Sequence, residues 1–261
     1  MAAIGPWHFT TTTDNLRPML ELGLAIVIIF LAAIVRGFSG FGFSLLSITA
    51  LSLIYRPAEI VPSIFMLELA ASLNLLPSIW KDIHWRSLAP LALGCTLATP
   101  FGVWALANLP APPLQLALSI FVLVATALLW KGFALKTMPG PVASTAAGAA
   151  SGLANGAFGI GGPPVVLFYF ASPAGAAAGR ASMIVFFLFT DIYGLANQAI
   201  AGLITWDTAL RALLYLPALL LGVWLGARGF KSVDQTWFRK CVFAILAILA
   251  VVIGIKAILN L

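Results

Sequence analysis

The chain has 261 residues, 62% of them hydrophobic and only 8% charged, with a mean hydropathy of +1.07. A water-soluble domain carries roughly a quarter of its residues charged, so that class is excluded. Apolar runs near 20 residues recur along the whole chain, which describes an all-α polytopic membrane protein. A β-barrel would instead alternate apolar and polar residues, unlike the uniformly apolar stretches 121–130 and 242–255.

In chain order, residues 1–18 are polar and Thr-rich, read as an extracytoplasmic N-terminal segment, and no small-residue cleavage site marks a signal peptide. Full-length spans are predicted at Ala58 to Trp80, Leu88 to Leu109, Leu114 to Gly132, Gly179 to Gly202, Thr208 to Ala227 and Trp237 to Leu259. Two further segments, Met19 to Ile54 and Pro141 to Ala171, each carry a glycine-rich break. In the first, the 15 residues Leu22 to Arg36 reach only about 23 Å, short of the roughly 30 Å of a hydrocarbon core. Each is therefore read as a broken hairpin.

Lysine and arginine positions order these pieces, because short cytoplasmic loops are enriched in them. If each broken segment crosses once, the basic residues divide seven against six. If each enters and leaves on one side, Lys81, Arg86, Lys131, Lys136, Arg180, Arg228, Lys231, Arg239 and Lys240 share a face against Arg17, Arg56, Arg211 and Lys256. Nine against four is a bias, favouring two hairpins plus six spans with both termini outside. Two short full crossings per hairpin would give the same parity.

The chain also repeats itself. Gly37-Phe-Ser-Gly-Phe-Gly-Phe43 aligns without gaps with Gly156-Ala-Phe-Gly-Ile-Gly-Gly162, Ile83-His-Trp85 matches Ile204-Thr-Trp206, and Gly102-Val-Trp104 matches Gly222-Val-Trp224. Two repeats are expected, 19–136 and 137–261, forming one membrane domain. Each is a glycine-broken helical hairpin plus three transmembrane helices, an odd number of spans, so the second lies inverted relative to the first. Inverted repeats with interrupted helices are the build of secondary transporters, with substrate held near the midplane where the breaks meet.

The breaks are candidate sites because irregular backbone at membrane depth is tolerated only where it is buried or lines a cavity. Glycine lets bare amides approach a ligand, Ser39 or Ser44 can cap the returning half-helix, and Pro163 and Pro164 suit a first helical turn. Two such helix ends favour an anion. The candidate anion-binding residues are Arg36, Gly37, Ser39, Gly40, Gly42, Ser44, Asn155, Gly159, Gly161 and Gly162. The plainer reading of the glycines is close helix packing. Arg36 can grip an oxyanion with its bidentate fork, or it can be a structural ion pair. Glu68 and Asp191 lie mid-span, each with an Asn six residues on, Asn74 and Asn197, and these four are the ion-coupling candidates, carrying a proton or holding a cation. Alternatively one carboxylate is the fixed partner of Arg36.

Other chemistries find little support. Cys95 and Cys241 sit in apolar runs and His8 and His84 are the only histidines, so no metal site and no cofactor is expected. The excess of Lys and Arg, 14 against 8 acids, forms no basic run for nucleic acid. No nucleophile cluster or Walker loop argues for an enzyme or an ATPase. The expected partners are a small anion, the bilayer, a coupling proton and, as an option, further copies of the chain.

The paired hairpins Gly37-Phe-Ser-Gly-Phe-Gly and Gly156-Ala-Phe-Gly-Ile-Gly-Gly, each opening half of an eight-segment protein, resemble the TauE/SafE family of sulfite and organosulfonate exporters. That resemblance covers nearly the whole chain and implies efflux of small sulfur oxyanions, such as sulfite or sulfoacetate, across a bacterial inner membrane. The chain departs from the family's run of three adjacent glycines, with Phe43 and Ser44 after the first break and Pro163 after the second. The departure points to a larger or partly apolar anion.

Overall fold

The computed structural model describes residues 12–39, 41–73, 83–131, 138–171, 176–229 and 235–260. Among these residues the chain forms ten α-helices and no strand: α1 (Thr12–Ser39), α2 (Phe43–Leu51), α3 (Pro57–Leu73), α4 (Trp85–Asn108), α5 (Ala111–Lys131), α6 (Pro141–Phe158), α7 (Gly162–Ala171), α8 (Ala176–Ile200), α9 (Trp206–Gly229) and α10 (Gln235–Leu259). Helices satisfy their own backbone groups, which is what a lipid environment demands. Six are long and apolar enough to cross a membrane, over Met19–Gly37, Trp85–Asn108, Ala111–Lys131, Ala181–Ile200, Trp206–Gly226 and Lys240–Leu259. The lipid-facing stripe is plain on α1, where Leu20, Leu24, Val27 and Leu31 are exposed at helical spacing. The protein is a multi-pass membrane protein.

One expectation needs correction. The first broken segment does not open with a short half-helix. α1 is 28 residues, about 42 Å, and runs through Arg36 and Gly37 before the chain breaks near Gly42. A lone glycine costs a helix only about 1 kcal/mol, so Gly37 does not stop it. The expected span Ala58 to Trp80 is described only as α3, 17 residues to Leu73, the rest lying outside the described residues.

The principal helix pairings are unchanged when the first five helices are exchanged, in order, for the last five. α1 packs on α9 as α6 packs on α4; α3 packs on α9 as α8 packs on α4; α10 meets α2 as α5 meets α7; α3 pairs with α8 and α5 with α10. The breaks follow the same plan, with α1 beside α2 and α6 beside α7.

Small residues make the tightest of these contacts. Gly148, Gly152 and Gly156 recur every four residues along one face of α6 and press on the α4 backbone at Leu91, Cys95 and Thr99, while Gly94 and Gly102 of α4 press back on α6 at Thr145 and Leu153. A Cβ at Gly152 would fall 2.5 Å from the Cys95 carbonyl oxygen, and one at Gly148 would strike the Leu91 carbonyl. Close backbone approach of this kind lets helices associate without a hydrophobic driving force. Gly156, aligned in sequence with the first break, thus serves packing. On the other side Gly222 of α9 meets α1, where a Cβ would lie 2.6 Å from the Phe30 carbonyl oxygen. The aligned pair Gly102 and Gly222 make matching contacts. So do the aligned helix starts: the His84 N–H at α4 donates to Ser182 Oγ of α8 at 2.9 Å, and Ser63 Oγ of α3 donates to the Thr208 carbonyl of α9 at 2.9 Å.

Candidate functional site

The first break turns on Gly42, whose φ of +92° lies in the left-handed region that other residues adopt only at a cost. The turn points the start of α2 at α3. There the Ser44 N–H donates to Glu68 Oε1 at 3.2 Å and the Ser44 hydroxyl to the same oxygen at 2.8 Å. The other carboxylate oxygen, Oε2, receives Nη1 of Arg36 from the last turn of α1. Arg36 also donates through Nη2 to Ser72 Oγ at 3.0 Å, one turn beyond Glu68 on α3. Arg36 and Glu68 are 7% and 6% exposed, so each needs the other: an unpaired charge at this depth would be costly.

The second break turns on Gly159, with φ +65°. A side chain there would also meet Ile48 of α2, its Cδ1 2.7 Å away, so the second break is seated against the helix that follows the first. Gly161 is clamped by α6: its N–H donates to Asn155 Oδ1 at 3.2 Å and its carbonyl accepts from Ser151 Oγ at 2.6 Å. Asn155 Nδ2 in turn donates to the Thr190 carbonyl on α8 at 3.4 Å, next to Asp191. Asp191 is 5% exposed, and its Oδ2 has no hydrogen-bond partner among the described residues.

Groups from both breaks line one cavity of about 30 Å³. Arg36, Gly42, Ser44 and Glu68 line it from the first break, and Asn155, Gly161, Gly162 and Asp191 from the second. Phe41, Leu45, Leu129, Ile160, Pro163 and Phe187 supply the apolar wall. Volume of that order holds two or three water-sized bodies.

Of the sequence candidates, the cavity gathers Arg36, Gly42, Ser44, Asn155, Gly161, Gly162, Glu68 and Asp191. Gly159 shapes the break behind it. Gly37 lies inside α1, away from the lining, and Asn197 spends its amide on the Tyr193 carbonyl of its own helix at 2.8 Å. Gly40, Asn74 and the Ser39 side chain lie outside the described residues. The sequence reading passed over Ser72 and Ser151. Both stand four residues from a candidate, Glu68 and Asn155, and that spacing on a helix face is the signal that could have found them.

The two helix ends differ in the donors they offer. The α2 end is occupied by the protein's own Glu68. At α7, Pro163 and Pro164 have no N–H to offer and Gly161 has given its N–H to Asn155, which leaves Gly162 as the donor of that first turn.

A probable sulfite/organosulfonate exporter TauE from Cupriavidus necator is 25% identical over 219 residues, covering 81% of this chain and 84% of the relative. No solved structure matches the chain. The family model described as sulfite exporter TauE/SafE matches residues 25–253, nearly the whole helical assembly with both breaks, and the chain belongs to that family.

Proposed function

We propose that this protein is a secondary active transporter that exports a small sulfur oxyanion, sulfite or a compact organosulfonate, across a bacterial inner membrane. The observation that carries this reading is the convergence of both breaks, Arg36 and two buried carboxylates on one cavity. The donors of Arg36, Ser44 and Gly162 would take the anion's oxygens, and the carboxylates would carry a coupling proton. The cavity's size favours an anion with little or no organic tail over the larger one that Phe43 and Pro163 had suggested.

Alternating access would follow if the two sets of five helices are inverted repeats whose broken segments move against the long spans, both termini lying outside. Exchange of the helix pairings between the two sets supports this arrangement.

A second reading has its own support. Glu68 already places a carboxylate on Arg36 and Ser44, so a small carboxylate suits the same donors. Flux in proteoliposomes, offering sulfite, taurine, sulfoacetate, isethionate, sulfate and acetate with and without a pH gradient, separates these. Saturable sulfite or sulfonate movement that responds to the gradient supports the coupled exporter. Acetate alone moving supports the second reading, and flux that never accumulates substrate against its gradient identifies a passive anion channel.

A further inference from the structure

We propose that Glu68 is a tethered competitor for the transported anion: its carboxylate holds the anion's place on Arg36 and the start of α2, and the anion enters as Glu68 takes up a proton and turns to Asp191. This rests on reading the cavity as an anion site.

Three observations carry it. The first is geometric. One Glu68 oxygen sits on the Arg36 guanidinium and the other on the Ser44 amide and hydroxyl, which is how two oxygens of an incoming oxyanion would be held. The same donors cannot hold both occupants at once.

The second is charge. Among the described residues the cavity holds one cation, Arg36, and two carboxylates, Glu68 and Asp191. With both carboxylates ionised it is already net negative, and an added anion would stand against two like charges at low dielectric. Protonation of Glu68 removes that barrier and frees the guanidinium. The charged groups facing Glu68 are Arg36 from α1 and Asp191 from α8. On the elements packed against α3, α2 has no charged residue, and Arg86, Lys131, Arg180, Asp207, Arg211 and Arg228 lie toward helix ends. On α3 itself, Glu59 pairs with Arg211 two and a half turns away.

The third is Asp191 Oδ2, a buried acceptor with no donor among the described residues, lining the same cavity. A protonated Glu68 is the donor it lacks. The step balances: a proton from water forms an O–H on Glu68, the ion pair with Arg36 opens, the O–H turns to Asp191, and the anion's oxygens replace the carboxylate on Arg36 and Ser44. Proton and anion then occupy the protein together.

The test is calorimetric titration of the full chain in lipid nanodiscs with methanesulfonate, which stays ionised across the neutral range, in two buffers of different ionisation enthalpy. Expected is uptake of about one proton per anion and an affinity that falls about tenfold per unit rise in pH. In Glu68→Gln the uptake disappears and alkaline affinity rises about tenfold, the competitor's charge having gone. Infrared difference spectra of the wild type provide a reading that needs no variant: on adding anion, a protonated-carboxyl band appears that shifts with carbon-13 glutamate labelling. Binding without proton uptake, or a band that shifts only with labelled aspartate, overturns the proposal alone. If neither methanesulfonate nor any anion of the flux panel binds or moves, the transport reading falls and this proposal falls with it.

Discussion

Arg36 and Glu68, 32 positions apart in the chain, form a buried ion pair that ties the last turn of α1 to the middle of α3, directly in front of α2. Removing one partner strands the other, which typically costs about 3–5 kcal/mol. Arg36→Ala should therefore lower the melting temperature in detergent and abolish anion binding. The double change Arg36→Met with Glu68→Leu should recover most of the melting temperature and none of the binding. Unaltered anion affinity in Arg36→Ala would remove Arg36 from the site.

On the proposed role of Asp191 as acceptor of the Glu68 O–H, Asp191→Asn should slow flux about tenfold yet leave its response to an imposed pH gradient. Glu68→Gln should lose that response. Proteoliposome flux across a series of gradients distinguishes the two, and the opposite pattern would exchange their roles.

Gly42 sits at φ +92°, and an added Cβ would make only an ordinary contact, with Val35 Cγ1 at 3.8 Å. Conformational strain is then the cost of substitution, about 1–2 kcal/mol for alanine. Asparagine tolerates the left-handed region better. Gly42→Asn should thus retain more flux and a higher melting temperature than Gly42→Ala, although its side chain is larger. The reverse order would show that bulk, not backbone, is limiting.

Gly148 is the contrasting case, because its added methyl would run into the Leu91 backbone. Gly148→Ala should force α6 from α4 and cost at least the 1–3 kcal/mol typical of overpacking. The melting temperature should fall well below that of Gly23→Ala, a glycine with nothing within 4 Å of its added Cβ.

Much of this site was legible in the sequence, because membrane burial makes polar residues conspicuous: Arg36, Glu68 and Asp191 could be singled out by depth alone, and the aligned glycines marked both breaks. Which carboxylate faces Arg36 was not legible, since it depends on how α1 and α3 rotate about their axes. The position of the first break was misplaced for a related reason. Gly37 and Gly42 are the same residue type, and only the chain's path distinguishes a glycine carried within a helix from one that turns the backbone. The sequence likewise placed Pro163 and Pro164 well at the start of α7 without weighing the amides they remove.

The reciprocal packing of α1 on α9 and of α4 on α6 has a consequence for assembly. Neither set of five helices encloses its own first helix, whose small-residue face is completed by the other set. Each would be an unfinished surface during synthesis, so the first set must wait in the bilayer until the second arrives. The same reciprocity means that the order of the two sets along the polypeptide is of little account. A gene severed between α5 and α6 and expressed as two chains should still yield the whole assembly, while either chain alone should be cleared by membrane proteases.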